Sequence, residues 1–313
     1  MLDSVDSTLV AKRIKNFDDY AEWGNFAAST HLDIYIFDML TFPDAKINLG
    51  LNVVSRRPDG YHNIVTVMMP IPSHDILEVV PSASAADSLH TCGRSVDCPM
   101  EKNLVYRALL QMRRHVDVPP VDIYLDKQTP DGAGLGGGSA DAAYMLRALN
   151  TLFEFGFDDA ALAAMASEIG ADCPFFIYDR PMLCTGTGTE MRPFDLCLPE
   201  NLWLAVVKPE VSVPTREAYA MLTPGEPAEP LTRVLSLPID QWQRRLVNDF
   251  EPGIISRHPV VGQIKQHLLD AGAIYASMSG SGSAVFGFFT GEIDPRKIKP
   301  SGVDGCYIFS KIN

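Results

Sequence analysis

The stretch Thr129-Pro130-Asp131-Gly132-Ala133-Gly134-Leu135-Gly136-Gly137-Gly138-Ser139 decides the architecture, because it joins a strand pattern to a helix pattern. Before it, Val121, Ile123 and Leu125 alternate with polar residues, as in a half-buried strand. After it, the alanine-rich residues 140–150 favour a helix. Five glycines in seven positions expose backbone N–H groups, and the helix start adds the positive end of a dipole. The stretch predicts a phosphate-binding loop, with Pro130 and residues 132–139 as its candidate contacts.

Two familiar phosphate-binding motifs fit this loop less well. Gly132, Gly134 and Gly137 match the G-x-G-x-x-G dinucleotide fingerprint as letters. That fingerprint expects an acidic ribose ligand at the end of a second strand, whereas Glu154 lies among aromatic residues just past the predicted helix. No Lys-Ser or Lys-Thr pair follows the glycines, so the loop is not a Walker A motif. A nicotinamide-dependent oxidoreductase is therefore only weakly supported by this loop.

Composition excludes several classes of function. The 313 residues are 46% hydrophobic and 21% charged, as in an ordinary globular protein. A net charge of −13 argues against a nucleic-acid surface, and no apolar run approaches the roughly 18 to 20 residues of a membrane-spanning helix. The six cysteines show neither a CxxC pair nor zinc-ligand spacing, which favours reduced thiols in a cytoplasmic protein. They are Cys92, Cys98, Cys173, Cys184, Cys197 and Cys306.

The order of patterns predicts an α+β chain of two domains. Strands are expected at residues 47–54, 64–69, 76–80, 121–125, 174–178, 202–207, near 274 and at 284–289. Helices are expected at residues 103–116, 140–150, 158–169 (capped by Asp158), 215–222 and 260–270. We assign residues 39–185 to an N-terminal domain that contains the glycine loop, which the resemblance described below implies to be ATP-binding, and residues 186–313 to a C-terminal domain. Residues 1–38 carry mixed charges without a secretory apolar region, and we hypothesise that they are a dispensable leader, non-native or disordered.

Two further segments add chemistry to the glycine loop. Lys46 stands at the head of a predicted strand, and Asp172 lies in the turn Gly170-Ala171-Asp172-Cys173-Pro174. Alone, each has an ordinary interpretation, as a surface lysine and as a helix-capping aspartate. An ammonium and a carboxylate beside a phosphate loop are what phosphoryl transfer requires, so the combination favours a catalytic role for both.

The chain resembles the galactokinase, homoserine kinase, mevalonate kinase and phosphomevalonate kinase (GHMP) superfamily from Met39 to the C-terminus. The matching segments, in the family's order, are Ala45-Lys46-Ile47-Asn48-Leu49, Arg57-Pro58-Asp59-Gly60-Tyr61-His62, the glycine loop, the Asp172 turn and Ser279-Gly280-Ser281-Gly282-Ser283. Within it, Asp59-Gly60-Tyr61-His62 resembles the family of 4-diphosphocytidyl-2-C-methyl-D-erythritol kinases. The resemblance implies a ribosomal protein S5 domain 2-like N-terminal domain, a ferredoxin-like C-terminal domain and an active site in the cleft between them.

The same resemblance implies a reaction and its residues. ATP with Mg²⁺ would phosphorylate the 2-hydroxyl of a cytidyl diphosphate substrate, in non-mevalonate isoprenoid biosynthesis. Asp172 matches the family's catalytic base and Lys46 its active-site lysine. Tyr61 and Tyr219 match residues that stack on opposite faces of cytosine, and His62 would hydrogen-bond the base edge. Asn48, Gly280 and Gly282 are further candidate substrate contacts.

One departure and several alternatives remain open. The family loop often reads Gly-Gly-Gly-Ser-Ser, whereas Ala140 follows Ser139 here, so Ser139 is the remaining candidate hydroxyl near Mg²⁺. A homoserine or mevalonate-type kinase is the nearest alternative, and a non-catalytic ATP-binding sensor of the same fold is the second. The sequence leaves open the metal ligands, the adenine contacts and whether the protein is a monomer or a homodimer.

Overall fold

The computed structural model describes residues 39–96, 98–300, 303 and 305–312. The leader hypothesis concerns residues 1–38, which lie outside this range. The strands are β1 (Met39–Thr41), β2 (Asp44–Arg56), β3 (His62–His74), β4 (Ile76–Pro81), β5 (Ser88–Gly93), β6 (Val121–Lys127), β7 (Met182–Thr185), β8 (Glu190–Pro193), β9 (Trp203–Pro209), β10 (Tyr275–Met278), β11 (Val285–Phe289) and β12 (Gly305–Lys311). The α-helices are α1 (Leu104–Met112), α2 (Gly137–Leu152), α3 (Asp159–Ser167), α4 (Cys173–Tyr178), α5 (Thr215–Ala220), α6 (Leu231–Leu235), α7 (Glu251–Arg257), α8 (Pro259–Asp270) and α9 (Pro295–Ile298).

The described strands form three four-stranded sheets. Sheet I has the order β1-β4-β6-β5, sheet II the order β2-β3-β7-β8, and sheet III the order β10-β11-β9-β12. All neighbouring strands are antiparallel except β5 and β6, which run parallel. The mixture of antiparallel sheets and packed helices is the α+β arrangement that the sequence predicts.

Sheet I packs against helices α1 to α4 around the first apolar core. Strand β6 alternates buried and half-buried residues along its whole length, so Val121, Ile123 and Leu125 face the helices. The next inward position is Lys127, which is 2% exposed. A charged side chain is therefore buried at the C-terminal end of β6, the strand that leads into the glycine loop.

Sheet II lies between two cores. Nine consecutive residues of β2, from Ala45 to Val53, are buried. Ala45, Ile47 and Leu49 belong to a second core between sheets II and III, whereas Leu51 and Val53 belong to a third core. Lys46, Asn48 and Asn52 are among these buried residues, at 3%, 2% and 4% exposure. Buried polar side chains need hydrogen-bond partners. The side chains of Lys46 and Asn48 are hydrogen-bonded to each other at the candidate site.

One predicted element has the wrong type. Residues 174–178 were expected to form a strand, and the structure shows helix α4 there. Cys173, Phe175, Phe176 and Ile177 are all buried in the first core, so the apolar run carries no periodicity that separates a buried strand from a buried helix. Pro174 fits the first turn of a helix, where its missing N–H leaves no hydrogen bond unmade.

The hairpin of β7 and β8 crosses residue 186, the expected start of the second domain. Its strands pair from Met182 with Pro193 to Thr185 with Glu190, and β7 also pairs with β3. Sheet II thus continues to Pro193. The other predicted helices and strands are present with ends shifted by a few residues, and Asp158 caps α3 by accepting a hydrogen bond from the Ala161 N–H.

Candidate active site

The glycine loop presents free backbone donors. Helix α2 begins at Gly137, earlier than the predicted residue 140, so Gly137, Gly138 and Ser139 form its first turn. The ladder of the helix starts with the Ala140 N–H bonding the Gly136 carbonyl at 2.9 Å. The N–H groups of the first turn have no acceptor within the helix, and they lie at the positive end of the dipole of a 16-residue helix. This arrangement suits an anionic phosphate.

The carbonyl groups on the other side of the loop hold it in place. The Leu135 carbonyl accepts from the Lys46 N–H at 2.9 Å, and the Ala133 carbonyl accepts from the Ala284 N–H at 3.1 Å. The side chains of Ala133 and Leu135 are buried in the core between sheets II and III. These two loop residues therefore anchor the loop.

Gly134 is the point where the glycine loop meets the C-terminal loop Ser279-Gly280-Ser281-Gly282-Ser283. Its φ is +75°, and a Cβ built there would stand 2.1 Å from the Ser279 carbonyl oxygen. The Gly134 carbonyl accepts from the Ser279 hydroxyl at 2.8 Å and from the Lys46 ammonium at 3.0 Å. Only glycine allows this approach of two backbones.

Lys46 and Asp172 meet as the sequence predicts. The Lys46 Nζ lies 3.5 Å from Asp172 Oδ2, with the lysine 3% exposed and the aspartate 37% exposed. Asp172 precedes helix α4 but its side chain makes no capping hydrogen bond, so the carboxylate is available to the cleft. The two ordinary interpretations, a surface lysine and a capping aspartate, are therefore wrong.

A cavity of about 640 Å³ opens beside this pair. Ten of the predicted site residues line it, namely residues 46, 48, 61, 132, 134, 136, 172, 219, 280 and 282. His62 lines a neighbouring cavity of about 650 Å³. Tyr61 and Tyr219 line both cavities, so they stand at the boundary between them. Pro130, Ala133, Leu135, Gly137, Gly138 and Ser139 line neither cavity.

The three residues predicted to bind cytosine lie at the outer end of the cleft. Tyr61 is 67% exposed at the end of a turn in which Asp59 accepts from the Tyr61 N–H at 3.0 Å. The His62 ring stacks on Tyr219, with centroids 4.7 Å apart and planes inclined by 17°. Burial, followed by the charge of Arg56, lowers the pKa of His62 and favours a neutral ring. One face of Tyr219 is thus covered by His62, and base binding by these residues stays a prediction.

Sequence reasoning missed a buried charge cluster beneath the loop. Lys127 Nζ donates to Asp141 Oδ2 at 2.6 Å and also bonds Asp75. Asp75 in turn accepts from the Thr129 N–H at 2.7 Å. Lys127 precedes the loop and Asp141 follows it in α2, so the hydrogen bond between them ties the two ends of the loop together. The inward position of Lys127 in the β6 alternation is the sequence signal that points to it.

Burial sets the protonation of this cluster. The pKa of Asp141 is raised to about 8, because removal from water outweighs the attraction of Lys127. Burial opposes the charge of Lys127, yet Asp141 and Asp75 together raise the pKa of its ammonium. A proton retained on Asp141 at neutral pH limits the negative charge beneath a loop meant to bind an anion.

Asn248 was also missed. Its Nδ2 donates to the carbonyls of Met278 and Gly280, both at 2.8 Å, and so holds the C-terminal loop. The chain beside it bridges to Leu51 of β2 in parallel. Asn248 lies 30 and 32 residues from its two acceptors, and no local pattern marks such a contact.

The structure gives little support for a metal site built by protein groups alone. In the described part of the chain, no three His, Cys, Asp or Glu side chains are grouped so as to hold a metal ion. Ser139, the predicted hydroxyl near Mg²⁺, is hydrogen-bonded with Cys173, whose pKa burial raises to about 11. A Mg²⁺ ion here would depend on phosphate oxygens and water, which is its usual mode in ATP sites.

Comparison with known proteins identifies the family. The GHMP kinases N terminal domain matches residues 103–180, and the GHMP kinases C terminal domain matches residues 238–301. The 4-diphosphocytidyl-2-C-methyl-D-erythritol kinase of Parabacteroides distasonis is 52% identical over 251 residues, which cover 80% of this chain and 92% of that protein. The chain belongs to the 4-diphosphocytidyl-2-C-methyl-D-erythritol kinase family. The resemblance of the Asp-Gly-Tyr-His element to this family is thereby confirmed.

Two further comparisons agree with this membership. The kinase of the same name from Porphyromonas gingivalis is 42% identical over 275 residues, covering 88% of this chain and 99% of that protein. A crystal structure of 4-(cytidine 5'-diphospho)-2C-methyl-D-erythritol kinase superposes with a TM-score of 0.69 at 33% identity, covering 81% of this chain and 91% of the other. The predicted α+β GHMP kinase fold is confirmed. Among the described residues, no helix has the length and apolar content needed to cross a membrane.

Proposed function

We propose that this protein transfers the γ-phosphoryl group of ATP to the 2-hydroxyl of 4-diphosphocytidyl-2-C-methyl-D-erythritol. The observation that carries the proposal is the pair of Lys46 and Asp172, 3.5 Å apart beside a cavity that the glycine loop also lines. Family membership supplies the substrate class, and the pair supplies the chemistry.

The proposed reaction needs few covalent steps from the protein. Asp172 accepts the proton of the 2-hydroxyl while that oxygen forms a bond to the γ-phosphorus. The bond from the γ-phosphorus to the β,γ-bridging oxygen breaks, and ADP is the leaving group of this step. The phosphates of ADP stay bound at the first turn of α2 until product release. Lys46 orients Asp172, and its ammonium group offsets the negative charge of the transferring group. Its two neutral acceptors, the carbonyl of Gly134 and the amide oxygen of Asn48, do not cancel its charge.

ATP is the phosphoryl donor of this proposal, and Mg²⁺ is its metal. Phosphate binding is supported by the free N–H groups of Gly137, Gly138 and Ser139. Mg²⁺ would neutralise phosphate charge, and Ser139 is the candidate protein hydroxyl for it. We further propose that Tyr61, His62 and Tyr219 hold the cytidine end, because all three lie at the outer end of the cleft.

The alternatives are less well supported. Homoserine and mevalonate contain no nucleobase that could stack on an exposed aromatic side chain such as Tyr61, whereas the cytidyl substrate does. A non-catalytic sensor has no need to bury Lys46 against Asp172. The division at residue 186, a cytoplasmic location, and a monomeric or homodimeric state remain predictions.

The test is a substrate panel with purified protein, ATP and Mg²⁺. ADP should be released with the cytidyl diphosphate substrate and not with homoserine or mevalonate. Asp172→Asn should lower kcat by about 100-fold or more while ATP binding, measured by calorimetry, is retained. Turnover of homoserine or mevalonate instead of the cytidyl substrate, or near-normal kcat in the variant, would overturn the proposal.

A further inference from the structure

A buried hydroxyl, that of Thr66 on β3, lies directly behind the Lys46 site. Thr66 is 0% exposed and pairs with Leu51 of β2. It does not line the cavity, so it touches neither substrate in the proposed reaction. Its influence on the site must therefore pass through its hydrogen bonds.

A β-bulge gives Thr66 its first partner. The register of β2 and β3 shifts between Leu49 and Leu51, which leaves Gly50 out of the pairing, with a φ of +69°. The Thr66 hydroxyl donates to the Gly50 carbonyl at 2.6 Å. A hydroxyl has a single proton, so the Thr66 oxygen can only accept from its next partner.

That next partner is the Asn48 amide. Asn48 Nδ2 donates to Thr66 Oγ1 at 3.0 Å, and Asn48 Oδ1 accepts from Lys46 Nζ at 2.6 Å. The chain of bonds ends at a carbonyl, which only accepts, and at an ammonium, which only donates. Every bond in the series therefore has one allowed direction, and the amide has one allowed orientation. A flipped amide would place an NH₂ group against the ammonium.

We propose that Thr66 is a positioning residue: by holding the Asn48 amide, it fixes the Lys46 ammonium between Asp172 and the Gly134 carbonyl. This inference rests on the proposed phosphoryl transfer, in which Lys46 acts at the transferring group. The low exposure of Lys46 and Asn48, 3% and 2%, strengthens the effect, because hydrogen bonds between buried groups are stronger and more costly to lose than exposed ones.

Two variants separate the role of the Thr66 hydroxyl from that of its methyl group. Thr66→Val keeps the branched shape and removes the hydroxyl, whereas Thr66→Ser keeps the hydroxyl and removes the methyl. We expect Thr66→Val to lower kcat by about tenfold or more, with the KM for ATP changed by less than about threefold. Thr66→Ser should stay within about threefold of the wild type. Thr66→Ala serves as a second hydroxyl-free variant should valine prevent folding.

The opposite rank order would overturn the inference. If Thr66 contributes only packing, Thr66→Ser becomes the poorer enzyme and Thr66→Val stays close to the wild type. An equal kcat in both variants, or a loss in Thr66→Val confined to KM, would also contradict it.

A second readout does not require turnover. In protein labelled with ¹³C at lysine Cε, the Lys46 resonance, assigned by its loss in Lys46→Met, should shift in Thr66→Val and stay in place in Thr66→Ser. A wild type without activity on the cytidyl substrate would refute the proposed function while this resonance still tests the role of Thr66. An unshifted resonance in Thr66→Val would refute the role of Thr66 whatever the activity.

Discussion

Replacing Gly134 by alanine tests whether the contact between the two glycine-rich loops sets both stability and catalysis. The residue has a φ of +75°, and the added Cβ would lie 2.1 Å from the Ser279 oxygen, where real contacts stay above 3.0 Å. The group that the new Cβ would meet is the Ser279 backbone carbonyl, so no side chain can rotate away to relieve the contact. The two loops must separate by close to 1 Å.

The cost can be added up from the contacts. A left-handed conformation costs alanine about 1–2 kcal/mol. Separation of the loops also weakens the hydrogen bonds that the Gly134 carbonyl accepts from Lys46 and Ser279, each of which contributes about 0.5–1.5 kcal/mol. The total is about 2–5 kcal/mol, which lowers the thermal midpoint by about 3–8 °C for a chain of 313 residues. A displacement of about 1 Å at the reacting groups should lower kcat by about 100-fold.

Calorimetry and steady-state kinetics of Gly134→Ala measure both effects, and Gly272→Ala is the matched control. Gly272 also has a positive φ, +103°, but a Cβ there would meet nothing within 4 Å. The control should therefore lose only the conformational part of the stability, and none of the activity. Equal losses of thermal stability in the two variants, or wild-type turnover in Gly134→Ala, would refute the reasoning.

Two further predictions concern the cleft rim and the buried charge cluster. Tyr61→Ala should raise the KM for the cytidyl substrate by about 5- to 150-fold through lost stacking, with thermal stability unchanged because Tyr61 is exposed; an unchanged KM would contradict its role. Burial raises the pKa of Asp141 from 3.8 to about 8. The folded protein therefore keeps a proton that the unfolded chain loses. Because of this difference, the Asp141 carboxyl makes the native state less stable as the pH rises from about 4 to about 8. Asp141→Asn removes that dependence, so its thermal midpoint relative to the wild type should rise between pH 5 and pH 9; a constant difference would contradict the buried, protonated carboxyl.

The sequence predicted the parts of the site that local patterns mark. Strand, glycine loop and helix follow one another as expected, and Lys46 and Asp172 meet beside them. Residues 174–178 were assigned wrongly because a fully buried apolar run looks the same in a strand and in a helix.

The supporting residues could not be predicted in the same way. Thr66 holds Asn48 only because a bulge at Gly50 frees a carbonyl, and a bulge depends on the register between two strands. Asn248 reaches the C-terminal loop across 30 residues of intervening chain. Such contacts exist only once the sheets are assembled, whereas the N–H groups of a glycine loop are available wherever the loop lies.

The joined loops have a consequence for how the reactants enter. Bonds from Ser279 to Gly134 and from Ala284 to Ala133 fasten the two halves of the molecule together next to Lys46. These bonds fix the cleft at the end next to Lys46, so we expect any opening motion to be larger near the exposed Tyr61. We therefore expect entry of the cytidyl substrate and release of its product to depend on the rim near Tyr61, whereas substitutions at the joined loops should act on the chemical step.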